Sequence, residues 1–214
     1  LLNEISWKKS MRWSNYNLSW GRPLRSILAI FNKKPLKINF EHLNIVNFTL
    51  IEENGELKQK KVQSFLEYQA FLRKHKIILD HNERKKFILN KINLICKIKS
   101  CKILVDESLL TEVCNLVDKP TVIIAKFDKS YLELPKEIIK STLQFHQRYF
   151  TLIDDKDRMI NEFIIVTNNK DEKKLIKAGN ERVVEARLSD ANFFWNKDKS
   201  LNLIKQINKL KHVT

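Results

Sequence analysis

The chain has 214 residues, of which 43% are hydrophobic and 9% aromatic, so it can bury a proper core and is not a disordered tail. Its 40 Lys and Arg residues against 25 Asp and Glu give a net charge of +15, which favours a polyanion as macromolecular partner. Most of the excess is lysine in a chain rich in Asn and Ile, a bias that nucleotide composition can also produce.

Cysteine usage and hydropathy predict a cytoplasmic protein without a membrane partner. Cys96, Cys101 and Cys114 are an odd number and lack the paired close spacing of a zinc site, which favours reduced structural cysteines. No apolar run approaches the length of a membrane span, and no charged-then-apolar leader precedes the fold. The sequence begins at Leu1 rather than at a methionine, which predicts a fragment.

Motifs for catalysis and for nucleotide binding are missing from the sequence. Gly21, Gly55 and Gly179 are far apart, and none lies in a phosphate-binding loop pattern. There is no nucleophile elbow and no pair of histidines at metal-ligand spacing. We therefore predict no catalytic residue, no bound metal and no bound cofactor in this chain.

The first 22 residues mix aromatic side chains with cations: Trp7, Trp13 and Trp20 among Lys8, Lys9, Arg12 and Arg22. Such a mixture can stack on bases and bind phosphates. The alternative is that the tryptophans are core or interface residues. Both interpretations stay open from the sequence.

Hydrophobic periodicity and turn residues then predict an alternation of strands and helices. Strands are predicted over residues 24–31, 36–40, 43–51 and 56–62, the last two joined by a hairpin turn at Asn54-Gly55. The remaining predicted elements are a helix over 64–74, a strand over 76–79, a helix from 80 or 82 to 97, a buried strand over 102–105, a helix from 106 or 108 to about 117, a central strand over 121–127, a helix over 135–147, a hairpin of 148–153 with 159–167, and a helix over 201–210.

The stretch from Gly179 to Trp195 organises the end of the chain. Gly179 predicts a break, Asn180 an N-cap, and the next residues a helix with Glu181 at its positive end. Helical spacing predicts a buried stripe of Val184, Leu188, Ala191 and Trp195, widened by Val183 and Phe194. Spacing also predicts the surface pairs Arg182–Glu185 and Arg187–Asp190.

Four segments in this order resemble the bacterial glycyl-tRNA synthetase beta subunit. They are Met11-Arg12-Trp13 with Arg22-Pro23; Leu109-Leu110-Thr111-Glu112-Val113 with Asp118-Lys119-Pro120; Thr142 with His146-Gln147-Arg148-Tyr149-Phe150; and Gly179-Asn180-Glu181-Arg182-Val183 with the Arg187-Leu188-Ser189-Asp190-Ala191 and Phe193-Phe194 that follow. Two departures stand out: Ser14 replaces the usual glycine, and nothing between Asn44 and Phe65 matches the Gly-His-Arg-Phe element of the family.

The resemblance implies a heterotetrameric class II ligase that attaches glycine to tRNA(Gly). Its alpha subunit makes glycyl-adenylate with ATP and Mg²⁺, and its beta subunit grips the tRNA. The residues that the resemblance makes candidates for a tRNA or domain interface are Arg12, Trp13, Arg22, His146, Arg148, Asn180, Arg182 and Arg187.

The fold class expected is α+β, with a mixed sheet covered by helices over residues 1–170 and an all-helical junction over 171–214 toward further domains. The first part resembles the editing-type module of the phenylalanyl-tRNA synthetase beta chain. Two alternative functions stay open: a hydrolytic editing-type domain that acts on mischarged tRNA, and a non-catalytic structural scaffold.

Overall fold

The computed structural model describes residues 2–53, 55–104 and 106–201. The chain forms two compact units, Leu1–Lys76 and Ile77–Thr214. Both units combine helices with small sheets, and the strand pairs include parallel and antiparallel ones, which confirms the α+β class. The unit boundary follows Lys76, whereas the sequence favoured a division near residue 170. The assignment of 171–214 to a junction stays a prediction.

Short strands and one helix build the first unit. Strand β1 (Ser26–Leu28) pairs in parallel with β4 (Asn44–Val46), β2 (Ile30–Phe31) pairs with β3 (Lys34–Pro35), β5 (Phe48–Glu53) pairs with β6 (Glu56–Lys61), and α1 spans Phe65–Lys74. The predicted hairpin is confirmed, and Gly55 has the positive φ of +81° that its turn requires. The predicted strand over 36–40 is wrong: all five residues are described, and only Phe40 makes a bridge, to Leu43.

The core of the first unit forms around Leu18, Phe40 and Leu43, with Trp13 and Trp20 partly buried against it. The ring of Trp7 lies on the backbone of Gly21, where a Cβ would come within 2.8 Å of the indole. Only glycine leaves room for this contact.

A four-stranded antiparallel sheet with the order β7-β9-β10-β8 is the centre of the second unit. Its elements are α2 (His81–Lys99), β7 (Lys102–Ile103), α3 (Glu107–Leu116), β8 (Thr121–Lys126), a 3₁₀ helix (Lys129–Glu133), α4 (Lys136–Ser141), a π-helical turn (Thr142–His146), β9 (Phe150–Ile153), β10 (Met159–Thr167) and α5 (Leu175–Lys199). The predicted helix starts are confirmed, because Asp80 caps α2 and Asp106 caps α3. The predicted strand over 76–79 is wrong, since these described residues form a turn and an irregular segment.

Two hydrophobic cores lie on opposite faces of this sheet. Alternate residues of β8 point to opposite faces, so Ile124 packs on the α2–α3 side and Ala125 on the α5 side. Val184 and Leu188 of α5 are fully buried in the second core. The helices therefore cover both faces of the sheet.

Strand β8 is an edge strand and not the predicted central one. An edge strand leaves backbone N–H groups unpaired, and two glutamates of α5 accept hydrogen bonds from the last residue of β8 and from the segment that follows it. Glu181 Oε1 accepts from the amide of Lys126 at 2.9 Å, and Glu185 Oε1 accepts from the amide of Asp128 at 2.6 Å. The edge is thus covered by side chains rather than by another strand.

Helix α5 begins before Gly179, so the predicted break at Gly179 and the predicted cap at Asn180 are wrong. Lys174 precedes the helix with a φ of 55°, and the carboxylate of Asp171 accepts from the amides of Ile176 and Lys177, each at 2.8 Å. Asp171 thereby supplies the acceptors that Asn180 was expected to provide.

The predicted buried stripe of α5 is only partly correct. Val184 and Leu188 are fully buried, and Ala191 and Trp195 pack partly buried against the same core. Val183 and Phe194, however, are 42% and 57% exposed and do not widen the stripe. The predicted helix over 201–210 lies outside the described residues from 202 onward.

Replacing Gly179 tests the continuity of α5. No heavy atom lies within 4 Å of the position that a Cβ would take at Gly179. We therefore expect Gly179→Ala to raise the free energy of unfolding by about 0.5–1 kcal/mol, because alanine loses less backbone entropy in a helix. Urea unfolding followed by far-UV circular dichroism measures the change.

The matched control is Ala178→Gly at the neighbouring exposed position of α5, which should lower the free energy of unfolding by a similar amount. A destabilising Gly179→Ala would contradict a continuous helix and restore the break at Gly179.

Candidate nucleic-acid interface

Three of the four segments that carry the family resemblance meet in the second unit. Arg148 Nε donates to Glu112 Oε1 of α3 at 2.6 Å. The neighbouring Tyr149 donates its phenolic hydrogen to Asn180 Oδ1 of α5. The segments 109–113, 146–150 and 179–195 are therefore connected side chain to side chain.

The π-helical turn Thr142–His146 positions the backbone of Arg148 and Tyr149. The amide of Arg148 donates to the carbonyl of Gln144 at 3.1 Å, and the amide of Tyr149 donates to the carbonyl of Leu143 at 2.9 Å. Arg148 takes a φ of 60°, a left-handed conformation that reverses the chain into β9. Its guanidinium also donates to the carbonyl of Phe145. π-helical segments are rare in proteins, and those that occur are often found at functional sites.

Buried polar groups lie beneath this turn. Gln144 Nε2 donates to Thr151 Oγ1 at 3.2 Å, and both residues are buried. Gln144 Oε1 has no hydrogen-bond partner among the described residues. An unpaired buried acceptor costs stability, so the other contacts of this turn have to offset the cost of Gln144 Oε1.

Tyr149 joins the turn to both the sheet and the helix. Its ring stacks on Phe163 with centroids 5.1 Å apart, and only 7% of the residue is exposed. Burial raises the pKa of the Tyr149 phenol above its ordinary value, because the charged phenolate is poorly solvated there. The phenol therefore stays a hydrogen-bond donor to Asn180.

Asn180 is occupied by contacts inside the second unit. Besides accepting from Tyr149, its Nδ2 donates to the carbonyl of Ile176 at 2.6 Å. His146, in contrast, is exposed at the end of the π-helical turn. Arg148 and Asn180 are therefore linked through Tyr149, and the side chains of both are hydrogen-bonded inside the second unit.

Arg182 and Arg187 are exposed on different sides of α5. Five residues of α-helix turn the direction by about 140°, so the two side chains leave the helix on nearly opposite sides. Arg187 follows Asn180 by seven residues and lies on the same side as Asn180. Of these two arginines, only Arg187 lies on the side of α5 that carries Asn180.

Neither predicted surface pair forms among the residues that the structure describes. Glu185, the expected partner of Arg182, binds the amide of Asp128 instead. Within the described part of the chain, Arg182 and Arg187 form no hydrogen bond and no ion pair. Their guanidinium groups are available to an external acceptor.

Arg12, Trp13 and Arg22 belong to the first unit. Trp13 is half-buried, and its edge lies against the His42 ring with centroids 5.8 Å apart. Arg12 and Arg22 are exposed and have no polar partner in the described part of the chain. A β-bridge between Met11 and Trp20 closes the loop that lies between Arg12 and Arg22 in the sequence.

Sequence reasoning missed the contacts that hold the candidate residues. The Arg148–Glu112 pair joins residues 36 apart, and the stack of Tyr16 on His42 joins residues with no shared periodicity. No local pattern marks such pairs. The only signal was that Glu112, Arg148 and Tyr149 fall inside the segments that resemble the family.

No helix in residues 2–53, 55–104 and 106–201 is long and apolar enough to cross a membrane. The same residues contain no group of three or more His, Cys, Asp or Glu side chains that could hold a metal ion.

Comparison with known proteins shows the family of the chain. The family model described as the glycyl-tRNA synthetase beta subunit matches residues 1–214, so the chain belongs to this family, which is one of aminoacyl-tRNA ligase subunits. The predicted resemblance is thereby confirmed.

The relatives are beta subunits of glycine–tRNA ligase. The one from Syntrophomonas wolfei is 37% identical over 214 residues, covering 100% of this chain and 31% of the relative. Those from Rickettsia bellii and Streptococcus agalactiae are 37% and 34% identical, each covering 100% of this chain and 32% of the relative. The chain thus spans about a third of the length of the curated relatives it matches.

The raised pKa of Tyr149 predicts a pH dependence of stability. The unfolded chain loses the phenol proton near pH ~10, before the folded chain does. The stability that Tyr149 contributes is therefore fully present below about pH 10 and is lost as the pH rises through the higher folded pKa. We expect the free energy of unfolding to fall more steeply above pH ~10 in the wild type than in Tyr149→Phe.

Urea unfolding at a series of pH values measures both slopes. Equal slopes for the wild type and Tyr149→Phe would show that the phenol is as solvated in the folded chain as in the unfolded one.

Proposed function

We propose that this chain is the part of a glycine–tRNA ligase beta subunit that binds and positions tRNA(Gly) and contacts neighbouring domains or the alpha subunit. In this proposal the complete enzyme attaches glycine to tRNA(Gly) in the cytoplasm, and the alpha subunit forms glycyl-adenylate with ATP and Mg²⁺. The observation that carries the proposal is the family match over residues 1–214.

The distribution of charge supports a polyanionic partner. Residues 1–76 contain 14 Lys and Arg against six Glu, a net charge of +8 of the chain's +15. An even spread would leave about a third of the excess in these residues. About half of it instead lies in about a third of the chain, where it raises the local attraction for phosphate.

The use of arginine separates binding candidates from structural residues. Arg148 is paired with Glu112, and Arg158 with Asp154 at 2.7 Å. Arg187 is exposed and unpaired within the described residues. A guanidinium without an internal acceptor can bind a phosphate bidentately.

Exposed apolar residues beside Arg187 support a contact with another domain. Val183 and Phe194 lie four and seven residues from Arg187, which places them on the same side of α5. The Phe194 ring is 57% exposed and touches Phe193 edge-on, with centroids 5.4 Å apart. The relatives are about three times as long as this chain, so further domains are available to cover these rings.

The alternative of a pure scaffold has its own support, because Asn180 and Arg148 are occupied inside the fold. In that case the chain would hold the rest of the beta subunit and would not touch tRNA. Salt dependence separates the two functions, since phosphate contacts weaken steeply as salt rises.

The test compares arginine variants in the complete heterotetramer with full-length beta subunit. We expect Arg187→Gln to weaken tRNA(Gly) binding about three- to tenfold and to lower the slope of log affinity against log salt by about 1. Arg182→Gln should have a smaller effect, because its side chain leaves the helix on another side. Filter binding over a salt series measures both quantities.

The matched control is Arg158→Gln, which also removes one positive charge but from a guanidinium already paired with Asp154. Unchanged affinity and salt slope in Arg187→Gln, with far-UV circular dichroism showing a folded enzyme, would favour the scaffold.

A further inference from the structure

The aromatic residues of the first unit form an exposed stacking surface. We propose that the Tyr16 platform, made of Trp13, Tyr16 and His42, binds an unpaired nucleotide by stacking its base on the outer face of Tyr16. The proposal rests on the proposed function, because it names the kind of nucleotide and the part of the chain that would contact it.

The geometry leaves one face of Tyr16 open. The Tyr16 and His42 rings are parallel to within 5°, with centroids 3.4 Å apart. Tyr16 is nevertheless 43% exposed. His42 covers one face of the ring, and among the described residues no other aromatic ring stacks on Tyr16, so the opposite face is the one we assign to a ligand. A flat ring from outside can continue this stack.

The platform is fixed before any ligand arrives. The rings of Trp13 and His42 form a T-shaped contact with an interplanar angle of 73°, and Trp13 is partly buried against the core of the first unit. Trp20, which packs against the same core, makes a T-shaped contact with Phe40, with centroids 6.2 Å apart. Little side-chain entropy is therefore lost on binding.

Lysine and arginine residues close to the platform in sequence could bind the phosphates of a nucleic-acid strand. The first 42 residues contain eight Lys and Arg against only Glu4 and Glu41. Lys8, Lys9 and Arg12 are exposed and form no ion pair among the described residues. Aromatic faces combined with free cations are the chemistry that binds single strands without sequence preference.

An unpaired nucleotide fits this surface better than a duplex does. In a duplex the base faces are stacked on one another, and RNA duplexes are contacted mainly through phosphates and 2′-hydroxyls. The platform offers a ring face, which only an unstacked base can use. The expected ligand is thus a loop or an end of a nucleic acid.

The experiment measures binding of a fluorescein-labelled oligoadenylate dodecamer to the full chain by fluorescence anisotropy, beside a duplex of the same length. We expect the single strand to bind more tightly than the duplex, and Tyr16→Ala to weaken its binding about tenfold. Tyr16→Phe, which keeps the ring face, should stay within about twofold of the wild type.

Two further variants make the result specific. Phe31→Ala removes another exposed aromatic ring of the first unit, and we expect no change in oligoadenylate binding. Tyr16→Leu keeps an apolar contact with His42 but has no ring, so it should weaken binding as Tyr16→Ala does. It replaces Tyr16→Ala if circular dichroism shows that the alanine variant is unfolded.

Equal effects of Tyr16→Leu and Phe31→Ala would overturn the proposal, as would equal binding of single strand and duplex. Absence of oligoadenylate binding would also overturn it and would point to a protein partner for these rings. The proposed function is tested separately by Arg187→Gln in the heterotetramer. Loss of tRNA(Gly) binding there, with silent Tyr16 variants, would leave the proposed function standing and this inference refuted.

Discussion

The attachment of α5 to the edge of β8 is the constraint on which the candidate interface depends. Val184 and Leu188 anchor the helix in the core, and the carboxylates of Glu181 and Glu185 accept hydrogen bonds from the strand edge. These contacts fix the rotation of α5 about its axis. Since each residue step turns the helix by about 100°, the same rotation sets Asn180 against Tyr149 and leaves Arg187 outside.

The side chains in the segments that resemble the family mainly connect elements of the fold to one another. Arg148 with Glu112, and Tyr149 with Asn180, connect a turn, two helices and a strand. A resemblance carried by such residues identifies the fold and the family but does not mark a binding surface by itself. The binding candidates are therefore the exposed cations that the fold leaves unpaired, such as Arg187, and not the residues most embedded in the shared segments.

Local signals predicted local structure well, and the failures come from contacts between distant segments. The hairpin at Gly55 and the caps Ser64, Asp80 and Asp106 follow from side-chain chemistry within a few residues. Gly179 misled, because Asp171 caps α5 earlier and helix packing offsets the cost of one glycine.

The apolar sequence of β8 indicated a central strand, yet β8 lies at an edge, where helices on both faces bury Ala125 fully and the residues from Val122 to Ile124 in part. Periodicity reports how deeply a strand is buried between layers, but it carries no information on the number of neighbours in the sheet. The position of β8 could therefore not be predicted from the sequence. The same holds for the hydrogen bonds from the Lys126 and Asp128 amides to Glu181 and Glu185, which lie 55 or more residues further along the chain.

The arginines differ in whether the fold already pairs them, and this difference bears on where a polyanion binds. In the second unit Arg84 donates to the carbonyls of Ile78 and Cys114 at 2.6 and 2.9 Å, and Arg148 and Arg158 are paired with carboxylates. In the first unit Arg12 and Arg22 are exposed without such partners in the described part of the chain.

An arginine that is paired inside the protein has much of its field cancelled by its acceptor, whereas an unpaired one attracts phosphate from solution. The number of cations therefore says less about nucleic-acid binding than their pairing does. Unpaired arginines lie in both units, and the first unit also has the larger share of the excess charge and exposed aromatic rings, which makes it the stronger candidate for direct contact with a nucleic acid. Arg187 is then the main contribution of α5 to phosphate binding.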